Sequence, residues 1–303
     1  MSAEVGPAVG FSKYHGLGND YLVIDGRGGS EGSALVSAAW VRRVCDRHQG
    51  VGADGILLLG FDSEAGRFSV RIFNPDGSEA EKSGNGLRIV ARYLWDRGEV
   101  ARVPFSVRTA GGEVRCEILD EGRSVRVEMG QLTFDSAAIP VAGEPREVLR
   151  ETLEVDGRDL EFSAASIGNP HCVIFRDELD DSEIFVLGPR IERDVRFPNG
   201  TNVQLVQVID RSTLKIDIWE RGAGHTLASG SSSCAAAGVA HRLGLCDATL
   251  RVEMRGGELC VSIGEDYSVV QQGPVVHIAD GTICPEAFAA MLRESSEGVL
   301  KER

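Results

Sequence analysis

The chain repeats part of itself, and an internal repeat constrains a fold more than any single motif does. The segment RFSVRIFNPDGSEAEKSGNGLRIVARYLW, residues 67–95, aligns with TLKIDIWERGAGHTLASGSSSCAAAGVAHRLG, residues 213–244. Each copy has the pattern strand, polar turn, Ser-Gly and helix, with Ser83 and Ser229 at equivalent positions. A duplication in conserved order predicts two similar domains related by a pseudo-twofold axis. The simplest such geometry directs both Ser-Gly turns into the cleft between the domains.

Further polar residues are related by the same repeat. Asn74 and Glu220 each lie nine residues before the serine of their copy. The segments HGLGNDYLVID and ASIGNPHCVIF also align, which pairs Asn19 with Asn169. Asparagine is a common turn residue, and that is the plain interpretation of each one taken alone. Together with Asn202, however, these residues near strand ends are suited to an amide-lined pocket for a polar amino acid.

Short strands separated by Gly and Asp turns dominate the pattern, as in GILLLGF, SVRVEMG and HCVIFRD. Helical periodicity is confined to four stretches, residues 34–47, 85–97, 232–243 and 285–294. Few helices among many short strands predict an α+β fold with mostly antiparallel sheets. The last stretch, together with the charged residues that follow it, is interpreted as a solvated helical tail over residues 284–303.

The net charge and the cysteine pattern exclude several kinds of binding partner and of metal or disulfide site. The net charge of -14 argues against nucleic acid and against anionic membrane surfaces as partners. The seven cysteines are scattered without a CxxC pair, so a disulfide framework and a zinc site are not expected. Reduced thiols indicate the cytoplasm. No signal peptide or apolar run long enough to span a bilayer is visible.

Two kinds of glycine-rich turn differ in what they predict. GVGADG, residues 50–55, has the letters of a dinucleotide fingerprint, but a helical stretch precedes it and a strand follows. That order is the reverse of the fingerprint, so a structural turn is the better interpretation. SGNGLR and SGSSSC instead open helices, where free N–H groups and the helix dipole favour a carboxylate. A single such turn is more often only a helix cap; two at equivalent positions favour a binding function.

At this point the residues resemble a known family. The segments FSKYHGLGNDYLVID, RHQGVGADGILL, NPDGSEAEKSGNGLR, IGNPHCVIF, NGTNVQ and ERGAGHTLASGSSSCAAA are similar, in order and spacing, to diaminopimelate epimerase. The resemblance covers roughly residues 10–280. It implies two pseudo-symmetric domains, each a curled, mostly antiparallel sheet around a central helix. The expected domains are residues 1–130 and 131–269, with a final strand near 270–283 that returns to the first domain.

The resemblance also implies a cofactor-independent amino acid epimerase or racemase without a metal. In the family one cysteine thiolate removes the α-proton and a second thiol returns a proton to the opposite face. The substrate is a small amino acid, LL- or meso-diaminopimelate, and the enzyme is a cytoplasmic homodimer. The substrate-binding positions carried over by motif are Asn19, Asn74, Gly84, Asn85, Asn169, Asn202, Glu220, Arg221, Gly230 and Ser231.

The chain departs from the family at the two catalytic positions, where Ser83 and Ser229 replace the cysteines. A free thiol has a pKa of about 8.5, which helix N-termini lower further, whereas a hydroxyl is a far weaker acid. Removal of an α-proton requires a base whose pKa lies near the operating pH. A serine therefore needs a neighbouring base, and His225, four residues before Ser229, is one candidate.

Four interpretations of the sequence remain open. The protein is an epimerase that uses serine, a related isomerase that shifts a proton on a more acidic carbon, or a catalytically silent amino acid-binding paralogue. A form in which serine has replaced both cysteines of an active enzyme has the same sequence signature. Exchange of a substrate α-proton with solvent separates the first interpretation from the silent binder.

Overall fold

In the computed structural model, residues 8–27 and 36–288 are described. Within these residues the chain has four α-helices: α1 (Ala38–Cys45), α2 (Gly84–Asp96), α3 (Glu183–Ile191) and α4 (Gly230–Arg242). Two 3-10 turns lie at Asp120–Gly122 and Pro285–Phe288. None of the described helices is both long and apolar enough to cross a membrane.

Strands make up most of the described chain, and they fall into two series followed by one last strand. The first series is β1 (Val9–Gly16), β2 (Asn19–Asp25), β3 (Ile56–Asp62), β4 (Arg67–Phe73), β5 (Glu79–Ala80), β6 (Phe105–Thr109), β7 (Gly112–Leu119) and β8 (Ser124–Gln131). The second is β9 (Glu151–Val155), β10 (Arg158–Ser166), β11 (Pro170–Arg176), β12 (Asn202–Asp210), β13 (Thr213–Glu220), β14 (Gly224–His225), β15 (Thr249–Met254), β16 (Gly257–Ile263) and β17 (Ser268–Pro274). The last strand is β18 (Val276–Ile283).

Strand pairing repeats between the two series. In the first, β2 is parallel to β3 and β4 is parallel to β6, and the other pairs are antiparallel. In the second, β11 is parallel to β12 and β13 is parallel to β15, in the same order. The two series join where β8 pairs antiparallel with β17, as expected at a pseudo-twofold axis. The α+β fold class with two pseudo-symmetric halves is confirmed.

Each half wraps its sheet around one apolar helix. Helix α2 packs against β1, β2, β7 and β8, and α4 packs against β10, β11 and β16. The buried apolar residues of both helices belong to one continuous core. The outer faces are covered by α1 in the first half and α3 in the second, each over its own cluster. The N-termini of α2 and α4 are therefore held at fixed places inside the sheets.

The domain boundaries stay a prediction, but the path of the last strand is clear. Strand β18 pairs antiparallel with β1, from Val9 opposite Ile283 to His15 opposite Val276. Strand β18 therefore extends the sheet of the first half, next to β1.

Three of the predicted helices are confirmed, and one further helix, α3, was not predicted. Helices form within the stretches predicted at residues 34–47, 85–97 and 232–243. Helix α3 was not predicted, since its sequence EIFVLGPRI is rich in β-branched residues and contains a Gly-Pro pair. Its apolar face covers the second sheet as α1 covers the first, so packing overrides local preference. Of the predicted tail, residues 289–303 lie outside the described part.

Gly256 offers a test of the close packing between the β15–β16 turn and the backbone at Leu17 and Leu227. Its N–H donates to the Leu227 carbonyl at 2.8 Å, and an added Cβ would lie 2.0 Å from the Leu17 carbonyl oxygen. Gly256→Ala should lower the free energy of unfolding by about 1–3 kcal/mol, since the backbone must move. Gly10→Ala, with no described atom within 4 Å of the added carbon, should change it by less than about 0.5 kcal/mol. Urea denaturation measures both, and equal losses would contradict this assignment.

Candidate active site

The two repeated serines cap the two central helices in the same way. Ser83 has φ −140° and ψ 119°, and Ser229 has φ −140° and ψ 123°. The Gly86 N–H donates to Ser83 Oγ at 3.1 Å, and the Ser232 N–H donates to Ser229 Oγ at 3.4 Å. In each first turn, further backbone N–H groups have no acceptor within their own helix. Each helix start is therefore suited to a carboxylate.

A single buried amide sits between the two helix starts. A Cβ added to Gly84 would lie 2.1 Å from Gln271 Nε2, and one added to Gly230 would lie 2.5 Å from Gln271 Oε1. With the Gln271 amide in this place, neither position has room for a Cβ. Its Nε2 lies 2.9 Å from Met129 Sδ, while its Oε1 has no hydrogen-bond partner among the described residues. Gln271 thus fixes the separation of the serine-capped turns.

Ser229 is hydrogen-bonded to a carboxylate. Its Oγ donates to Glu220 Oε2 at 3.0 Å, and Thr226 Oγ1 donates to Glu220 Oε1 at 2.7 Å. Burial raises the pKa of Glu220, although these two hydrogen bonds act in the opposite direction. A carboxylate with a raised pKa is a better proton acceptor near neutral pH than an ordinary one. The base next to Ser229 is therefore Glu220.

Ser83 has a different neighbour. The Ser83 and Tyr21 hydroxyls are 3.3 Å apart, within hydrogen-bonding distance. Burial raises the pKa of Tyr21 to about 12, so its phenol is protonated at neutral pH. The two serines are thus equivalent in backbone but not in chemistry, because one faces a proton acceptor and the other a proton donor.

Asn85 connects the two halves of the site. Its Nδ2 donates to Asn19 Oδ1 at 3.0 Å and to the Ala228 carbonyl at 3.3 Å. Asn19 Nδ2 in turn donates to Asp54 Oδ2 at 3.0 Å. Asp54 also forms a salt bridge with Arg47 at 2.6 Å. The first helix start is therefore linked to the residue before Ser229 and to an ion pair at the rim.

The second half supplies two more of the predicted asparagines. Asn169 Nδ2 donates to Ser231 Oγ at 3.4 Å, and its Oδ1 lies 3.0 Å from His171 Nε2. Burial lowers the pKa of His171 to about 3, so its imidazole is neutral. The buried Asn202 accepts the Arg221 N–H at 3.0 Å. Both asparagines are held by neighbours that were also predicted from the family motif.

Two sequence predictions find other partners in the structure. Asn74 Nδ2 donates to Ser78 Oγ at 3.0 Å, within its own turn; none of its hydrogen bonds reaches another predicted site residue. His225 Nε2 lies 3.0 Å from Asp217 Oδ1, and its ring packs on Phe185. His225 is therefore engaged away from Ser229, and the candidate activator is replaced by Glu220. Among the described residues no group of His, Cys, Asp and Glu is arranged to hold a metal ion.

Tyr21 and Gln271 were missed by the sequence reasoning. Tyr21 aligns with His171 in the repeat, so the alignment contained a signal for it. Gln271 lies in the strand segment YSVVQQG with no local feature to mark it. Its importance arises only from two glycines that are distant in the chain.

Most of the sequence is similar to one known protein family. The family model for diaminopimelate epimerase matches residues 11–134 and 163–278. The chain belongs to the diaminopimelate epimerase family. The predicted membership is confirmed, and the family is one of isomerases of the epimerase type.

Relatives and solved structures agree with this family. The chain is 50% identical over 279 residues to diaminopimelate epimerase 2 of Nostoc sp. strain PCC 7120, covering 92% of this chain and 97% of the relative. It is 41% identical to diaminopimelate epimerase of Pelotomaculum thermopropionicum, covering 89% and 97%. A probable proline racemase from Agrobacterium radiobacter K84 superposes with a TM-score of 0.69 at 15% identity, covering 93% of this chain and 95% of that one. A PhzF family protein from Bacillus anthracis superposes with a TM-score of 0.64 at 15% identity, and the match covers 91% of this chain and 99% of that one. These structures show a shared fold.

The raised pKa of Glu220 predicts how stability depends on pH. The folded state holds this proton more tightly than the unfolded state, so the resulting stabilisation is complete below the usual pKa of 4.5 and is lost as pH rises through the folded value. The side chain of Glu220→Gln is neutral at every pH, so this variant keeps the stabilisation that the wild type loses at high pH. The free energy of unfolding of Glu220→Gln, relative to that of the wild type, should therefore be higher at pH 8 than at pH 4. Urea denaturation at both values measures this.

The exposed Glu64 provides the matched control, since Glu64→Gln should give the same small difference at both pH values. An advantage of Glu220→Gln that is flat or shrinks with rising pH would contradict a raised pKa.

Proposed function

We propose that the protein interconverts LL- and meso-diaminopimelate without a cofactor, by removing a proton from the α-carbon on one face and returning one on the other. The observation that carries the proposal is the pair of serine-capped helix starts with matching backbone angles on either side of Gln271. The relatives named above are diaminopimelate epimerases, which supports this substrate.

In this proposal the α-carboxylate binds to the N–H groups that follow Ser83 and Ser229, which are those of Gly84, Asn85, Gly230 and Ser231. Helix N-termini favour an anion through both hydrogen bonds and the dipole. Of the remaining predicted residues, Asn19, Asn74, Asn169, Asn202 and Arg221 hold the distal amino acid group. Glu220, predicted with them as a substrate contact, acts instead as the base beside Ser229. Asn74 has the weakest support, because its side chain bonds within its own turn.

The proton steps follow from the neighbours of the two serines. In one direction Ser229 Oγ takes the α-proton while its own proton passes to the Glu220 carboxylate, to which it already donates. Ser83 gives its proton to the opposite face of the carbanion and receives the Tyr21 proton. Solvent exchange then restores both partners, and the reverse reaction runs the same steps backwards. Since Tyr21 is a poor acid, turnover should be slow compared with a thiol pair.

A catalytically silent amino acid binder is the second candidate. The specific observation in its favour is that hydroxyls occupy both positions where the family uses thiols. A related isomerase acting on a more acidic carbon needs less from its base, and the same site is compatible with it. Binding of diaminopimelate without interconversion favours the first of these alternatives, and turnover of an unsaturated acid favours the second.

We also propose that the protein is a cytoplasmic homodimer that acts on a small molecule. Its described cysteines are all free thiols, which is typical of a reducing compartment. Val276 and Ile278 are about half exposed on β18, and β1 is the partner strand of β18 within the described residues. A second copy would cover such an edge. Light scattering should give twice the mass of 32.5 kDa, and a monomer would contradict this part of the proposal.

Removal of each hydroxyl separately tests the assigned roles. Ser83→Ala and Ser229→Ala should each lower the epimerisation rate at least about tenfold, and each loses a helix cap that contributes about 1 kcal/mol of stability. Ser37→Ala is the matched control, since Ser37 caps α1 by accepting the Trp40 N–H at 3.2 Å outside the site. It should lose similar stability and keep the full rate. Chiral chromatography measures the rates; full activity of either site variant would disprove its role.

Restoration of both thiols tests whether the hydroxyls limit the rate. Ser83→Cys together with Ser229→Cys should raise the epimerisation rate by roughly 10²-fold or more, because thiolates form near neutral pH. Ser106→Cys, on strand β6 away from the cleft, controls for an added thiol. No gain despite unchanged affinity for diaminopimelate would mean that other parts of the site have diverged.

A further inference from the structure

A buried arginine lies beneath the candidate active site without a charged partner. Arg88 is fully buried, and among the described residues no carboxylate forms a salt bridge with it. Its Nη2 donates to Asn85 Oδ1 at 2.6 Å, whereas its Nε and Nη1 have no hydrogen-bond partner. Burial lowers the pKa of Arg88 only to about 10. The side chain is therefore a permanent positive charge inside the protein.

The position of Arg88 is unfavourable for stability in three respects. A buried charge without a counter-ion is destabilising, and so are its two unpaired N–H groups. It lies near the positive N-terminus of α2, whereas cations stabilise the opposite end of a helix. Residues that oppose stability in this way are expected at functional sites.

The repeat shows that the architecture itself does not require an arginine here. Arg88 lies five residues after Ser83, and the equivalent residue five after Ser229 is Cys234. Cys234 is also fully buried in its central helix. One half of the fold thus packs around a small neutral side chain at the position where the other half holds a guanidinium.

One glycine makes room for the guanidinium. A Cβ added to Gly16 would lie 3.1 Å from Arg88 Nη2. Gly16 ends β1 shortly before Asn19. At Gly273, two residues after Gln271 on β17, an added Cβ would instead meet Leu259 Cδ2 at 2.1 Å and would lie at an ordinary contact distance, 3.5 Å, from Arg88 Nε. The space for Arg88 is therefore bordered by segments that also carry site residues.

Arg88 determines how the Asn85 amide is oriented. A guanidinium has donors only, so Asn85 must present its oxygen to Arg88 and its Nδ2 to the cleft. From there Nδ2 reaches Asn19 Oδ1 and the Ala228 carbonyl. Without Arg88 the Asn85 oxygen loses this donor, and the orientation that reaches Asn19 in the same half and Ala228 in the other half is less firmly held.

Arg88 also adds positive charge near the helix starts. Of the two carboxylates there, Asp54 is paired with Arg47, whereas Glu220 forms no salt bridge among the described residues, and the charge of Asp54 adds to the rise in the pKa of Glu220. A further positive charge favours the binding of a carboxylate ligand. Arg88 contributes a full positive charge that no described carboxylate neutralises before the ligand arrives.

We propose that Arg88 is a positioning residue that orients Asn85 and favours binding of the ligand's α-carboxylate at the start of α2, at the expense of stability. This inference rests on the proposed function for the identity of the ligand. It predicts opposite effects of one substitution on stability and on binding, which a purely structural arginine would not produce.

The test compares two arginines of the same helix. Arg88→Met should fold with a Tm no lower than that of the wild type and bind LL-diaminopimelate at least about tenfold more weakly by calorimetry. Arg92→Met is the matched control, because Arg92 is paired with Asp96 at 2.8 Å and donates to the Gly122 carbonyl outside the site. It should lower the Tm and leave the Kd unchanged.

Each outcome decides the inference. Wild-type affinity of Arg88→Met, or a fall in its Tm equal to that of Arg92→Met, would overturn it. Failure of Arg88→Met to fold would overturn the claim that Arg88 lowers stability. Arg88→Lys, which keeps the charge but not the fixed geometry, then tests the binding role alone: it should bind more weakly than the wild type, and unchanged affinity would overturn that role too. If the wild type itself does not bind diaminopimelate, the proposed function fails, and the two Tm values alone decide the role of Arg88.

Discussion

The contact of the Gln271 amide with Gly84 and Gly230 determines the rest of the site. Because the amide fills the space beside both first helical residues, a side chain at Gly84 or Gly230 would have to displace it. That contact places the two serine caps on either side of one amide and leaves their first N–H groups facing the same region. The pairing of β8 with β17, which carries Gln271, holds this arrangement at the pseudo-twofold axis.

The symmetry of the backbone is not matched by symmetry of charge. Glu220 accepts a hydrogen bond from Ser229, whereas Ser83 has a neutral phenol beside it. Arg88 and Cys234 make the same distinction one turn further into the two helices. A duplicated fold thus provides two faces for one ligand, and substitutions at equivalent positions give the faces different proton chemistry. In the proposed mechanism the face at Ser229 accepts a proton and the face at Ser83 supplies one.

Much of this architecture could be predicted from the sequence, because the repeat places strong local signals at equivalent positions. Ser83 and Ser229 both have the Ser-Gly signature of a helix cap, and both were predicted in their actual places. Helix α3 was missed because Gly188 and Pro189 suggest a turn, and only burial of Ile184, Leu187 and Ile191 stabilises a helix there. Gln271 could not be predicted, since its role depends on two glycines distant in sequence. His225 was a reasonable candidate by spacing, but Asp217 and Phe185 hold it elsewhere.

The central claim is that the two serine hydroxyls act on opposite faces of one α-carbon. The most direct measurement is the deuterium content of substrate and product during early turnover of LL-diaminopimelate in D2O, followed by mass spectrometry after chiral separation. The account predicts meso product that carries one α-deuterium while the remaining LL substrate stays almost unlabelled. Deuterium in the LL substrate without meso product would show that only one face transfers protons, and no label in either would show that neither serine acts as a base.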